Sequence, residues 1–321
     1  MAPSAIEQPG QTSSLPGKTR PEAKEDAHDP TPLEAISHGD VMPGIPTFPD
    51  FASHRRHILT HAAAVFRNWA RTGCTEGQSG HISVRDPEFP GCMWMNPLGR
   101  HFGSLTAGDM LLLDIESGRI VAGRANPATP GRRTANAAGY FIHAAIHRAR
   151  GDVHAVCHAH TIPGRAWSVF ARPLDMLTQD VCNFHNAHAV YANYGGIVFG
   201  ADEGKRIAAA LGGANKAVIL MNHGLLTVGA TVDEAGFLFG LLDRSCAIQL
   251  QVEAACAGNP GLKRNVISDE EAAYNFRMAS EKHVLYREAQ PDVEMEFELA
   301  GGEEALAAGL DGLEVGLRSM R

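Results

Sequence analysis

The chain has 321 residues, 44% hydrophobic and 20% charged, which supplies one substantial core and the charge content of an ordinary soluble domain. A formal net charge of -8, with no basic tract, gives no electrostatic reason to expect a nucleic-acid partner. The opening MAPSAIEQPG lacks a charged start followed by an apolar run, and no apolar stretch reaches the roughly 18 residues of a membrane span. A cytoplasmic protein without membrane contact is therefore expected. The six cysteines include no CxxC pair and read as buried thiols rather than a disulfide framework.

Residues 1–45 are rich in Pro, Ser, Gly, Glu and Lys without apolar periodicity, so disorder is expected there. Ile58, Ala62, Val65, Phe66 and Trp69 then recur at helical spacing, and Gly73 is placed to end that helix. Residues 81–86 and 93–97 read as strands, LTAGDM as a short helix, and LLLDIESGRIVAG as a hairpin turning at Glu116 to Gly118. TANAAGYFIHAAIHRAR has helix character, with Thr134 or Asn136 as N-cap and Arg148 and Arg150 favourable at its C-terminal end. A strand, DVHAVCHAH, follows it directly, and HTIPGRAWSVFA begins another helix. Further on, the apolar run 217–221 delivers Asn222, His223 and Gly224 to a turn before another short strand. Residues 231–257 predict a buried helix, entered through Thr231 and closed at Gly258. SDEEAAYNFRMASEKHVLYREAQ predicts one amphipathic helix, and PDVEMEFE behind it is either a docked strand or a tail. Strands interleaved with helices suggest a three-layer α/β/α domain.

The chemistry concentrates at CHAH. Successive side chains of a strand face opposite ways, so His158 and His160 point to the same side and can converge on one ion, while Cys157 points into the core. Two ligands make no site. His223, at a second strand end, is the candidate third, and three neutral imidazoles suit Zn, Fe, Mn or Co with positions left open for a substrate oxygen.

GQSGHISVRDP, MNPLG, IHAAIHRARGDVHAVCHAH, YGGIVF and ILMNHGLLTVG followed by TVDEA, in this order, resemble the class II aldolase/adducin family over residues 55–258. The resemblance implies a central, mainly antiparallel sheet with helices on both faces, and a homotetramer with sites near subunit boundaries. It divides the chain into a disordered segment 1–45, an aldolase/adducin-like domain 46–262, and a helical extension and tail 263–321. In the family's metal-dependent sugar-phosphate aldolases the matching histidines bind zinc, which assigns His158, His160 and His223 to one divalent transition metal, Zn before Fe or Mn. Asn222 is either an orienting neighbour of His223 or simply a turn-forming residue.

The sequence departs from those aldolases in a linked set of positions. Gly139 stands where they carry the acid/base glutamate, and Ala137 and Ala138 replace two serines that bind substrate phosphate. The other phosphate loop appears as Gly77, Gln78, Ser79, Gly80 and His81, which keeps the backbone nest without the full side-chain set. Phosphorylated sugars are therefore not expected as substrates. Ser79, Gly80 and His81 remain candidates for binding substrate, as do Arg85, through a bidentate carboxylate contact, and Asn183. An ion pair from Arg85 to Asp86 or Asp114 is the alternative. His143, one helical turn before His147, is the candidate acid/base group in the altered helix, with His185 and His188 of NFHNAH, just after Asp180, as further catalytic candidates. Arg100 and His101, after the MNPLG turn, could reach a neighbouring subunit's site but rank below the other candidates.

The expected function is a metal-dependent, lyase-like enzyme that makes or breaks a carbon–carbon bond beside a carbonyl, by aldol-type chemistry or decarboxylation, in an unphosphorylated small molecule bearing a carbonyl or carboxylate. Two rivals stand beside it. One is an iron-dependent oxygenase, because the fold also serves aromatic-acid oxygenases of aminocoumarin antibiotic pathways. The other is a non-catalytic binding protein like the head domain of adducin.

Overall fold

Eight strands join in one sheet in the computed structural model, which describes residues 30–127, 129–196, 200–317 and 320. In chain order they are β1 (His81–Arg85), β2 (Cys92–Met95), β3 (Leu111–Asp114), β4 (Ile120–Ala122), β5 (Ala155–Ala159), β6 (His188–Tyr191), β7 (Ala217–Leu220) and β8 (Gly224–Gly229). Their spatial order is β4-β3-β2-β1-β5-β8-β7-β6, and every neighbouring pair is antiparallel except β6 with β7. The helices are α1 (Pro32–Ile36), α2 (Phe51–Arg71), α3 (Ala137–Ala149), α4 (Ile162–Ser168), α5 (Ala201–Leu211), α6 (Val232–Gly258), α7 (Asp269–Ala279), α8 (Lys282–Ala300), α9 (Glu303–Leu306) and α10 (Leu310–Leu317).

Alternation along the strands decides the layers. Ile82 and Val84 of β1 and Ala155, Cys157 and Ala159 of β5 point to one face, where they pack with Leu59, Phe66 and Trp69 of α2 and Leu238 and Phe239 of α6. Val156 of β5 points the other way, against Ile142 and Ile146 of α3 and Ile207 and Leu211 of α5. The expected three-layer architecture is thus present, with a sheet that is antiparallel apart from one pair. Because His81, Ser83 and Arg85 alternate with the core residues of β1, they lie on the α3 side, and so do His158 and Val156 of β5. Register then brings His81 directly opposite His158 across the β1–β5 pair.

Several local expectations change. Residues 1–29 of the segment expected to be disordered lie outside the described residues. Its remainder carries α1, capped by a reciprocal Thr31–Glu34 box, and the Ile45 amide donates to His283 Nδ1 at 3.0 Å. The C-terminal amphipathic segment is two helices rather than one. The Glu281 carboxylate accepts from the His283 and Val284 amides and so starts α8 afresh, and PDVEMEFE continues that helix through Pro291. α6 runs to Gly258 as expected, yet its burial ends at Gln249 and its last two turns leave the core. LTAGDM forms only a 3-10 turn, Ala107–Asp109. Asp86 is the buried partner of Arg55, with contacts at 2.7 and 3.0 Å, rather than of Arg85.

Candidate metal centre and cleft

The turn between β7 and β8 carries His223 to the other two candidate ligands. Leu220 and Gly224 are paired across the ladder, the His223 amide closes the turn on Leu220 O at 3.0 Å, and Asn222 sits at φ 56, a left-handed position that asparagine tolerates. The rings of His158, His160 and His223 consequently lie 4.8 to 5.0 Å apart between centroids, and one nitrogen from each falls within 4.8 Å of the others. His158 is 1% exposed and donates from Nδ1 to Leu225 O at 2.8 Å, which fixes the tautomer and leaves Nε2 with its lone pair toward the cluster. Burial and the neighbouring His160 pull His223 down to about 4, so it is neutral at physiological pH and able to ligate. No carboxylate belongs to this set. Three neutral imidazoles with one face open to a cleft fit a divalent ion of the zinc or iron type and do not fit calcium or magnesium.

The cleft above the cluster holds about 430 Å³, the size of a small-molecule site. Ser79, Gly80 and His81 form part of its wall. Gly80, at φ 107, cannot be replaced freely, because a Cβ there would come within 3.0 Å of Phe102 Cζ and 3.2 Å of His158 O. His81 is 4% exposed and stacks on His158 with 4.9 Å between ring centroids.

Behind His81 runs a polar seam that no single stretch of sequence displays. His81 Nδ1 meets His143 Nε2 at 2.7 Å, His143 Nδ1 meets Ser83 Oγ at 2.7 Å, and Ser83 Oγ meets His147 Nε2 at 2.8 Å. The seam arises because His81 and Ser83, two apart on β1, face His143 and His147, four apart on α3. Every link joins groups able to donate or accept, so the chain of bonds can reverse its polarity as a proton enters or leaves. Burial and the adjacent His143 hold His81 well below the usual imidazole range, and burial does the same for His143 and His147. The seam is therefore uncharged at neutral pH. His143 is 0% exposed and does not line the cleft, so it reaches the cleft only through His81.

Gly139 explains why His81 can stand there. A Cβ on Gly139 would lie 2.6 Å from His81 Cδ2 and 2.7 Å from Met95 Cε, so the imidazole occupies the space into which a side chain at 139 would grow. Gly139→Ala gains up to about 1 kcal/mol in helix propensity. The overlap opposes that gain with roughly 1–3 kcal/mol. Chemical denaturation should show a net loss of stability; a more stable variant would mean that His81 yields easily and that glycine is not required.

Residues 60–250 match the family model described as the class II aldolase and adducin N-terminal domain. The chain belongs to this family. It is 44% identical over 216 residues to a protein of Streptomyces roseochromogenus named 4-hydroxy-3-prenylphenylpyruvate oxygenase/4-hydroxy-3-prenylbenzoate synthase, covering 67% of this chain and 75% of that one. It is likewise 44% identical over 211 residues to Decarboxylase NovR of Streptomyces niveus, covering 65% and 75%. Among solved structures, L-fuculose 1-phosphate aldolase from Glaciozyma antarctica superposes with a TM-score of 0.71 at 35% identity, over 80% of this chain and 95% of the aldolase.

The class II aldolase frame also places the remaining candidates, and four of them stand away from the cleft within the chain. His188 opens β6 opposite Ala217, whereas the cleft lies beyond Leu220 at the other end of that parallel pair, three residues or about 10 Å further on. Both its nitrogens are committed, Nδ1 to Phe184 O at 2.8 Å and Nε2 to the Leu174 amide at 3.0 Å. His185 contacts Asn186 at 3.0 Å and Asp269 at 3.4 Å, and Asn183 donates to Asp180 O at 3.0 Å. Arg85 shares the face of His81 but sits at the opposite end of β1, where it holds Pro90 O and His147 O, each at 2.7 Å. Arg100 and His101 brace the Phe102–Ser104 turn.

Among the wall residues that sequence reasoning did not assign to the site, Asn136, Arg165 and Tyr194 carry polar side-chain groups. Asn136 is the N-cap of α3, accepting from the Gly139 amide at 2.9 Å, and it faces the cleft because it begins the helix that borders it. Arg165 lies in the first turns of α4, directly after His160, and its NH2 pairs with Glu76 at 2.7 Å. That proximity in sequence to the His-x-His strand was the available signal.

Proposed function

We propose that this chain is a metal-dependent lyase that makes or breaks a carbon–carbon bond next to a carbonyl, by aldol-type chemistry or decarboxylation, in an unphosphorylated small molecule bearing a carboxylate. The observation that carries this reading is the convergence of three neutral imidazoles with a fourth, His81, on one cleft. His158, His160 and His223 hold the ion, Zn before Fe or Mn, and its chemistry is Lewis-acid stabilisation of negative charge developing on a substrate oxygen. His81 contacts the reacting atoms through Nε2 and gives or takes the proton there, while His143, Ser83 and His147 position it and relay the charge. Arg165, half exposed at the rim, receives the substrate carboxylate in exchange for part of its contact with Glu76.

The walls support an unphosphorylated substrate. Position 138 presents only a methyl group to the cleft, and Arg165 is the one cationic side chain lining it among the described residues. Incubation with phosphorylated ketoses should give no turnover, whereas a panel of unphosphorylated α-keto and hydroxy acids should yield a substrate. A phosphoketose cleaved at about one per second or faster overturns this reading.

The relative named as an oxygenase supports a second reading, an oxygenase using the same cleft, and an iron held by the three histidines would suit that chemistry. Oxygen uptake during turnover separates the two, because a lyase consumes none. An adducin-like binding protein requires neither a metal nor turnover.

Assembly belongs to the same proposal. Ile162, Val169, Phe170 and Tyr194, on and around α4 and the cleft rim, are more than half exposed, an apolar surface suited to a second copy. The chain should be a homo-oligomer, a tetramer, with a neighbour closing the rim, and residues 1–29 should be dispensable for it. Light scattering that finds a monomeric full-length chain contradicts the shared rim. No described helix is long and apolar enough to cross a membrane.

A further inference from the structure

A second group of ligand-type side chains lies among the helices of the opposite face. His57 and His61 stand one turn apart on the same side of α2, with ring centroids 3.7 Å apart, and Asp233 projects from the first turn of α6. One ligand atom from each falls within 4.8 Å of the other two. We propose that His57, His61 and Asp233 form a second binding site for a divalent first-row transition ion, separate from the cleft and structural in role.

Charge supports this assignment. Asp233 is 1% exposed, and its polar contacts are His61 Nδ1 at 2.5 Å and the Gln290 amide at 3.1 Å. Among the described residues no lysine or arginine forms an ion pair with it, and its counter-charge within the protein would be His61 itself, when protonated. A carboxylate this deeply buried without a fixed cation costs several kcal/mol. A divalent ion supplies the missing charge, and two imidazoles with one carboxylate are a donor set that Zn, Fe, Mn and Co share.

The surroundings suit a closed, dry site. Phe48 lies 4.8 Å from the His57 ring, Tyr286 of α8 lies 6.2 Å from His57 and 6.4 Å from His61, and Phe297 meets His61 edge-on at 5.5 Å. Gln290, also on α8, donates to the carboxylate and so orients it as an outer partner would. The ion would tie α2 to the start of α6 beneath α8, helices that no disulfide joins. None of these residues lines the cleft.

The test uses the full chain in a His160→Ala/His223→Ala background, which removes the cleft site. Metal-free protein is loaded with Co²⁺, freed of excess by gel filtration, and assayed by elemental analysis and visible absorption. One Co²⁺ per chain should remain, with a raised melting temperature, and a further His57→Ala should weaken binding at least roughly tenfold. His57 is the outer member of the three, so its loss leaves the His61–Asp233 contact intact and the fold in place, which circular dichroism checks. Should that substitution unfold the chain, His57→Gln provides the same comparison with the bulk retained. A background protein without stoichiometric Co²⁺, or with Co²⁺ indifferent to position 57, overturns the site.

Discussion

Replacing His223 with alanine is expected to lower kcat/KM by roughly three orders of magnitude or more, because on the proposed mechanism one of three ligands is lost and charge developing on the substrate is no longer stabilised. The fold should survive. His223 sits in a turn whose shape depends on the backbone of Leu220, Asn222 and Gly224, and its ring makes no hydrogen bond to the protein among the described residues. Melting of the metal-free variant should therefore match that of the metal-free parent, while metal retention at the cleft falls. Activity unchanged in a variant that has lost the cleft metal would remove the ion from the chemistry.

Replacing His81 with alanine is expected to cut turnover by about 10²–10⁴, the usual contribution of a proton-transfer group, with cleft metal retained. Its readout separates catalysis from packing. An added small imidazole should restore part of the rate in the cavity left by the ring, and His143→Gln should show a smaller loss, because His143 acts only through His81. His81→Asn combined with Gly139→Glu offers a sharper comparison. The first change removes the ring that a Cβ at 139 would meet at 2.6 Å, so the carboxylate can enter the space His81 vacates. The double variant should regain activity that Gly139→Glu alone does not. If His81→Ala keeps full activity, proton transfer belongs to another group.

The parts legible in the sequence were those set by short-range periodicity. Alternation in CHAH placed both histidines on one side and Cys157 in the core, where it is 0% exposed. The apolar run 217–221 and the Asn-His-Gly turn placed His223 at a strand end, and the ladder brought it beside β5. The His81–His143–Ser83–His147 seam was not legible, because it depends on the register between β1 and β5 and on which face of α3 meets the sheet. Gly139 read as a lost side chain, although the gap it leaves is filled by a residue 58 positions away, a complementarity visible only in three dimensions. NFHNAH stands away from the cleft within the chain for a different reason. Its histidines have the right chemistry, but a parallel pairing of β6 with β7 carries them to the far end of the sheet. The break at Ser280 is masked in the sequence because a capping carboxylate at Glu281 is also a good helix former, so the amphipathic pattern runs on across it.

An anomalous-difference map, recorded at the absorption edge of the metal that elemental analysis finds, tests the central claim most directly. A peak about 2.0–2.2 Å from His158 Nε2 and from one ring nitrogen each of His160 and His223, with at least one coordination position facing His81 and the cleft, is the predicted result. A fully metal-loaded crystal whose map shows no peak among these three histidines would contradict it.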